Sequence, residues 1–393
     1  MRKACTPSKF VADVMNKVPP SGIRRYFDLA SGIDDVISLG VGEPDYITPW
    51  HIREACIHSL ECGETSYTSN YGLLELRESL ADHFSAKYGV SYNPDSEILV
   101  TSGVSEALDV AIRAITDPGD EIIVVQPSYV AYVPSVMFAG GVPVIISTKL
   151  ENNFKLTAEE LKAAITPKTK AVIINYPNNP TGATMGREDL EAIADVVCEH
   201  DIMVISDEVY DCLTYDYNNG HTCFASLEGM RERTILLNGF SKAYAMTGFR
   251  LAYAMASPDI ISAMMLIHQY SMLCAPITAQ IGAIEALRNG TDEMMRMVRS
   301  YDRRRHLIVN GLNKIGLECF EPKGAFYAFP SIESTGLTSE EFAERLMNEQ
   351  HVVTIPGNVF GDAGTGFLRC SYATSLEEIE KALERIGAFV DGL

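Results

Sequence analysis

The chain has 393 residues, 47% of them hydrophobic and 21% charged, with a formal net charge of −20. That length is too great for one simple core and predicts two domains, and the acidic balance argues against a nucleic-acid partner or an anionic membrane surface. Nine cysteines with no Cys-x-x-Cys pair and no zinc-like Cys/His spacing predict free thiols, a reducing and therefore cytoplasmic setting, and no bound metal.

In chain order, Met1–Phe10 lacks the apolar core of a signal peptide. Residues 1–45, with Pro19, Pro20, Gly40 and Gly42, read as an arm and loop that join a small domain. Residues 46–290 read as the large domain. From about residue 97, apolar runs alternate with amphipathic patterns. The runs Glu97–Thr101, Glu121–Val125, Lys170–Asn175, Ile202–Ser206, Thr234–Asn238 and Leu251–Met255 predict strands covered on both faces. Ser105–Ile115, a segment opened by a capping box at Thr157 and Glu160, and Arg187–Glu199 predict helices between them. The alternation implies an α/β fold with a mostly parallel central sheet.

Two long uncharged stretches are too interrupted to span a membrane. The first, 122–147, contains Pro127, Pro134 and Pro143. The second, 260–284, contains His268, Pro276 and Gln280 and reads as two buried helices. Residues 291–393 differ in character: a long charged helix over Thr291–Ile315, short strands near 324–329 and 366–371, and helices capped near Thr338 and Ser375. They predict a smaller α+β domain.

In open α/β sheets, ligands bind beyond the carboxyl ends of the strands. Ser102-Gly-Val-Ser105 follows the first strand and opens a helix, which makes an anion site. Tyr129 follows the second, Asn179 lies in a Pro-Asn-Asn-Pro-Thr-Gly loop after the third, and Asp207 with Tyr210 follow the fourth. Ser241 and Lys242 follow the fifth, and Arg250 comes soon after. Each has an ordinary reading as a turn, a packed aromatic, a helix cap or a solvated lysine. The combination of a phosphate cradle, a flat aromatic, an amide, a carboxylate with a tyrosine, and a desolvated lysine suits a phosphorylated aromatic aldehyde. That aldehyde is pyridoxal 5′-phosphate.

The ordered motifs resemble the class I/II aminotransferases, the fold type I enzymes of pyridoxal phosphate. They are Ile37-Ser-Leu-Gly-Val-Gly-Glu-Pro-Asp45, Tyr67 to Gly72 with Leu76-Arg77, Asn179-Pro-Thr-Gly182, Asp207-Glu-Val-Tyr210, Ser241-Lys242 with Gly248-x-Arg250, Pro356-Gly-x-x-Phe-Gly361 and Arg369-x-Ser-Tyr372. The resemblance implies that Lys242 holds the cofactor as an aldimine and then serves as the base. It implies that Asp207 keeps the ring nitrogen protonated, that Tyr210 and Asn179 bond the ring hydroxyl, and that Tyr129 stacks on the ring. Val104, Ser105, Ser241 and Arg250 are expected at the phosphate, with Tyr67 reaching it from the other subunit of a homodimer with shared sites. Arg369 is expected to grip the substrate α-carboxylate with help from Asn179, and Gly40 to let the backbone approach the substrate.

Many members carry a serine where this chain has Gly239, so one phosphate hydroxyl is missing. No motif supplies a second arginine for an acidic side chain; Arg24, Arg25 and Arg113 are the candidates. The reading is an aminotransferase moving the amino group of an L-amino acid (aspartate, alanine or aromatic) to a 2-oxo acid such as 2-oxoglutarate. The alternative is a carbon–sulfur β-lyase on the same fold.

Overall fold

The computed structural model describes residues 10–30, 35–216 and 220–393. The first nine residues of the expected arm, and Cys5 with them, lie outside the described residues. Among the described residues, twelve strands are formed: β1 (Ile37–Ser38), β2 (Ile98–Thr101), β3 (Glu121–Gln126), β4 (Val142–Ser147), β5 (Thr169–Ile174), β6 (Met203–Asp207), β7 (Thr234–Gly239), β8 (Ala252–Met255), β9 (Tyr327–Ala328), β10 (Val352–Val353), β11 (Ile355–Pro356) and β12 (Leu368–Ser371).

Strands β2 to β8 form a seven-stranded sheet in the order β2-β8-β7-β6-β5-β3-β4. Strand β8 pairs antiparallel with both β2 and β7, and the other pairs are parallel. The mostly parallel sheet is therefore as expected, and the carboxyl ends of β2, β3, β5, β6 and β7 share one edge. The run of apolar residues in β3 shows why both faces are covered. Ile123 and Val125 enter the core on one side, while Ile122 and Val124 enter the core on the other, beneath the helix Val104–Ile115.

Strand β4 forms across Pro143, where the sequence pattern predicts only an interruption. It is the outer strand, so Pro143 costs no ladder hydrogen bond, and its side chains are largely exposed. The stretch 260–284 does form two helices, Pro258–Ser271 and Ile277–Asn289. Helix Val104–Ile115 begins one residue before its expected start.

Beyond the sheet, helix Thr291–Ile315 packs on the last helix, Leu376–Asp391. Strands β11, β12 and β9 form a small antiparallel sheet. The N-terminal β1 pairs in parallel with β10, Ile37 opposite Val352, so the loop after β1 is anchored to the C-terminal part of the chain. Arg304 of the long helix, buried, holds Asp45 of the same loop at 2.7 Å. That loop closes over the sheet edge from which Lys242 projects.

Candidate active site

A cavity of about 530 Å³ lies at this edge. Its central groups come from turns that directly follow strands. Strand β7 ends at Gly239 and runs into one helical turn, Phe240–Ala243, which carries Ser241 and Lys242. Lys242 Nζ donates to the Gly42 carbonyl at 2.6 Å. Withdrawal from solvent, reinforced by the positive charges of Arg369 and Arg250, pushes its amine down to about 8.

Asp207 ends β6 and is buried. Burial pushes its carboxyl up to about 6, against the hydrogen bonds that favour the charged form. Those bonds come from the Tyr132 hydroxyl at 2.7 Å and the Val209 N–H at 3.2 Å. Asn175 braces the neighbouring turn: its Nδ2 donates to the Asp207 carbonyl at 2.8 Å, and its Oδ1 accepts from the Asn179 N–H at 3.0 Å. Tyr210 shares a hydrogen bond of 2.8 Å with Tyr327, and burial raises its hydroxyl pKa far enough to keep it protonated at neutral pH.

Arg369, on β12, is 2% exposed. Its guanidinium lies between the rings of Tyr327 and Phe360, 4.6 and 4.8 Å from their centroids. It donates to Asn179 Oδ1 at 3.0 Å and to the Gly40 carbonyl at 2.7 Å, while its Nε is buried without a partner among the described residues. A buried, always-charged fork with an unpaired donor is suited to a carboxylate.

At the other end of the cavity, Gly103 has φ 86°, and a Cβ there would collide with Arg250 Nη2. Only glycine lets the guanidinium lie against the turn that opens helix Val104–Ile115. The first N–H groups of that helix have no intrahelical partner, so cation and backbone donors converge as an anion cradle. Together these residues fit pyridoxal 5′-phosphate: a cradle for the phosphate, a carboxylate for the ring nitrogen, and an amine of lowered pKa for the aldehyde.

Val104, Ser105, Tyr129, Asn179, Asp207, Tyr210, Ser241, Lys242, Arg250 and Arg369 all line this one cavity. Two expected residues do not. Gly40 offers its carbonyl to Arg369 from outside the lining, and the close backbone approach falls at Gly42, where a Cβ would meet the Tyr327 hydroxyl at 2.8 Å. Tyr67 is 82% exposed and does not line its own chain's cavity. Arg25 is paired with Glu344 and Arg113 with Asp109, and Arg24 is exposed; none of the three lines the cavity.

Sequence reasoning missed Tyr132, Asn175 and Tyr327. Tyr132 stands one helical turn beyond Tyr129 and could have been noticed there. Tyr327 sits in a two-residue strand with no local mark of function. Gly239 also gains an explanation. A Cβ there would meet Ala252 Cβ at 2.9 Å and the Leu251 carbonyl at 3.1 Å, so β8 occupies the space a serine side chain needs. A larger cavity, about 1030 Å³, contains none of the expected site residues. In its wall Glu208 and His221 pair at 2.7 Å.

The family model described as "Aminotransferase class I and II" matches residues 34–386. The aspartate aminotransferase of Pyrococcus abyssi is 46% identical, over 96% of this chain and 97% of its own. "Aromatic-amino-acid aminotransferase 2" of Thermococcus litoralis is 44% identical over the same shares. The solved structure of the aspartate aminotransferase from Thermus thermophilus with maleate superposes with a TM-score of 0.92 at 39% identity, covering 98% of this chain and 99% of that one.

Proposed function

This chain belongs to the class I and II aminotransferases, a pyridoxal phosphate-dependent family, and on that premise we propose that it moves the amino group of an L-amino acid (aspartate, alanine or aromatic) to 2-oxoglutarate, with Lys242 as covalent anchor and base. The observation that carries the reading is the convergence of Lys242, Asp207 and Arg369 on one cavity.

When bound, the cofactor supplies an aldehyde and an electron-withdrawing ring for charge developing at the substrate Cα. Asp207 holds the proton on the ring nitrogen, a task for a buried carboxylate that stays ionised beside a cation. Tyr210 remains protonated and donates to the ring hydroxyl, alongside Asn179. Val104, Ser105, Ser241 and Arg250 take the phosphate, and Tyr129 covers the ring face. Arg369 exchanges its bond to Gly40 for the substrate α-carboxylate, which fixes the Cα proton toward Lys242. With its amine near 8, Lys242 is neutral often enough at mild alkaline pH to take a proton from the substrate Cα.

Among the described residues, the cations in the lining are Lys242, Arg250 and Arg369, and each already has a role. Alanine and aromatic donors need no further cation, whereas aspartate needs one beyond these three, which a second copy of the chain would supply. A homodimer with shared sites also accounts for Tyr67. Exposed Trp50, Ile57, Leu60 and Tyr270 supply apolar surface for such a contact. Free buried thiols such as Cys223 and Cys370 fit a cytoplasmic location.

Borohydride reduction of the holoenzyme followed by peptide mapping should label Lys242, and a label on another lysine would sink the mechanism. A panel of amino acids against 2-oxoglutarate, read by glutamate formed, identifies the donor. Ammonia released without an acceptor would mark the β-lyase instead.

A further inference from the structure

We propose that Glu106 and His268 form a positioning pair that holds the phosphate cradle in its binding conformation, an inference that rests on the cofactor assignment above. Glu106 is in the first turn of helix Val104–Ile115, next to Ser105. One of its carboxylate oxygens accepts from the Ser102 N–H, and the other lies 2.6 Å from His268 Nδ1. His268, on helix Pro258–Ser271, is completely buried, and its Nε2 has no hydrogen-bond partner among the described residues. A buried imidazole nitrogen left unpaired costs stability, which the bond between Nδ1 and the Glu106 carboxylate offsets.

The backbone around the pair shows what it holds. The Gly103 N–H bonds the Thr101 carbonyl at 3.0 Å, and the Gly103 carbonyl accepts from Glu106 and Ala107 at 3.1 and 3.2 Å. With the Ser102 N–H claimed by Glu106, the N–H groups of Val104 and Ser105 are left to the cavity that both residues line. A carboxylate near an anion site is unfavourable if it faces the anion. Glu106 does not line the cavity, and both its oxygens are engaged away from it. The next residue extends the brace: Gln269 Oε1 accepts from Asn70 at 3.3 Å, in the segment that carries Tyr67. One end of a helix thus supports both segments expected at the phosphate.

The test titrates apoenzyme with pyridoxal 5′-phosphate and, separately, with pyridoxal, which lacks the phosphate. Glu106→Ala and His268→Ala should weaken pyridoxal phosphate roughly tenfold or more, as expected when charge-assisted donors lose their alignment. Pyridoxal affinity should stay within about twofold, because the ring and aldehyde partners are untouched. Glu106→Gln should recover most of the loss, since its amide can accept from Ser102 and donate to His268 Nδ1. His268→Gln serves in place of His268→Ala should the latter fail to fold. Unchanged phosphate-ester affinity, or equal weakening toward both ligands, would overturn the positioning role. Wild-type apoenzyme that does not prefer the phosphate ester over pyridoxal would instead overturn the cofactor assignment.

Discussion

The Tyr132 hydroxyl donates to Asp207 Oδ2 across 2.7 Å, and both side chains are buried. A hydrogen bond to the charged form of an acid lowers its pKa. This bond therefore opposes the burial that holds Asp207 at about 6. Tyr132→Phe should raise the Asp207 pKa by about one pH unit. Less of the carboxylate is then ionised below neutrality, so the acid limb of cofactor uptake by the apoenzyme should move to higher pH. An unmoved limb would show that the Val209 N–H suffices.

Lys242 makes a stability prediction with a definite sign. Its amine is lowered from 10.5 to about 8 in the folded chain. A lowered base binds its proton less tightly when folded, so its charged form costs stability below about pH 8. The cost fades as pH rises from 8 to 10.5. Its ceiling is roughly 3 kcal/mol. Lys242→Met apoenzyme should exceed wild type by about 1–3 kcal/mol at pH 7 in urea unfolding. The advantage should shrink toward zero near pH 10.5. An advantage that grows with pH would refute the lowered amine.

Gly239→Ser would supply the phosphate hydroxyl that the family resemblance leads one to expect at this position. Its Cβ meets Ala252 and the Leu251 carbonyl at less than ordinary contact distance, so β8 must move. The variant should lose about 1–3 kcal/mol of stability in thermal unfolding. It should gain no affinity for pyridoxal phosphate. Tighter cofactor binding without loss of stability would show that β8 yields at no cost.

Tyr67 and Arg369 test the shared site. Homodimers of Tyr67→Phe or Arg369→Lys should each have low activity. Arg369→Lys loses the planar fork that lysine cannot reproduce. If Tyr67 serves the partner's cavity, unfolding and refolding the two variants together should restore roughly a quarter of the sites, one in each mixed dimer. If both residues served one chain's site, mixing would restore none.

Much of the site is legible in the sequence because α/β topology ties sequence position to space. A residue just past a parallel strand emerges at the shared carboxyl edge, whatever the rest of the chain does. Hence Ser105, Tyr129, Asn179, Asp207, Tyr210 and Lys242 group together on sequence position alone. The chemistry of the set then names the cofactor. Strand β4 escapes such reasoning because its proline is tolerated only at an outer edge, and edge position is not written in the strand itself.

What the sequence by itself determined is the kind of fold, the sheet edge and the reactive groups on it. The tertiary structure decided how those groups are tuned. The Tyr132–Asp207 bond, the stacking of Arg369 between Tyr327 and Phe360, the approach of Gly42, and the contact of Glu106 with His268 join segments far apart in the chain. Local propensity and periodicity act over a few residues and carry no record of such pairings. Burial of a charge, and the partners that offset it, exist only once the segments have packed.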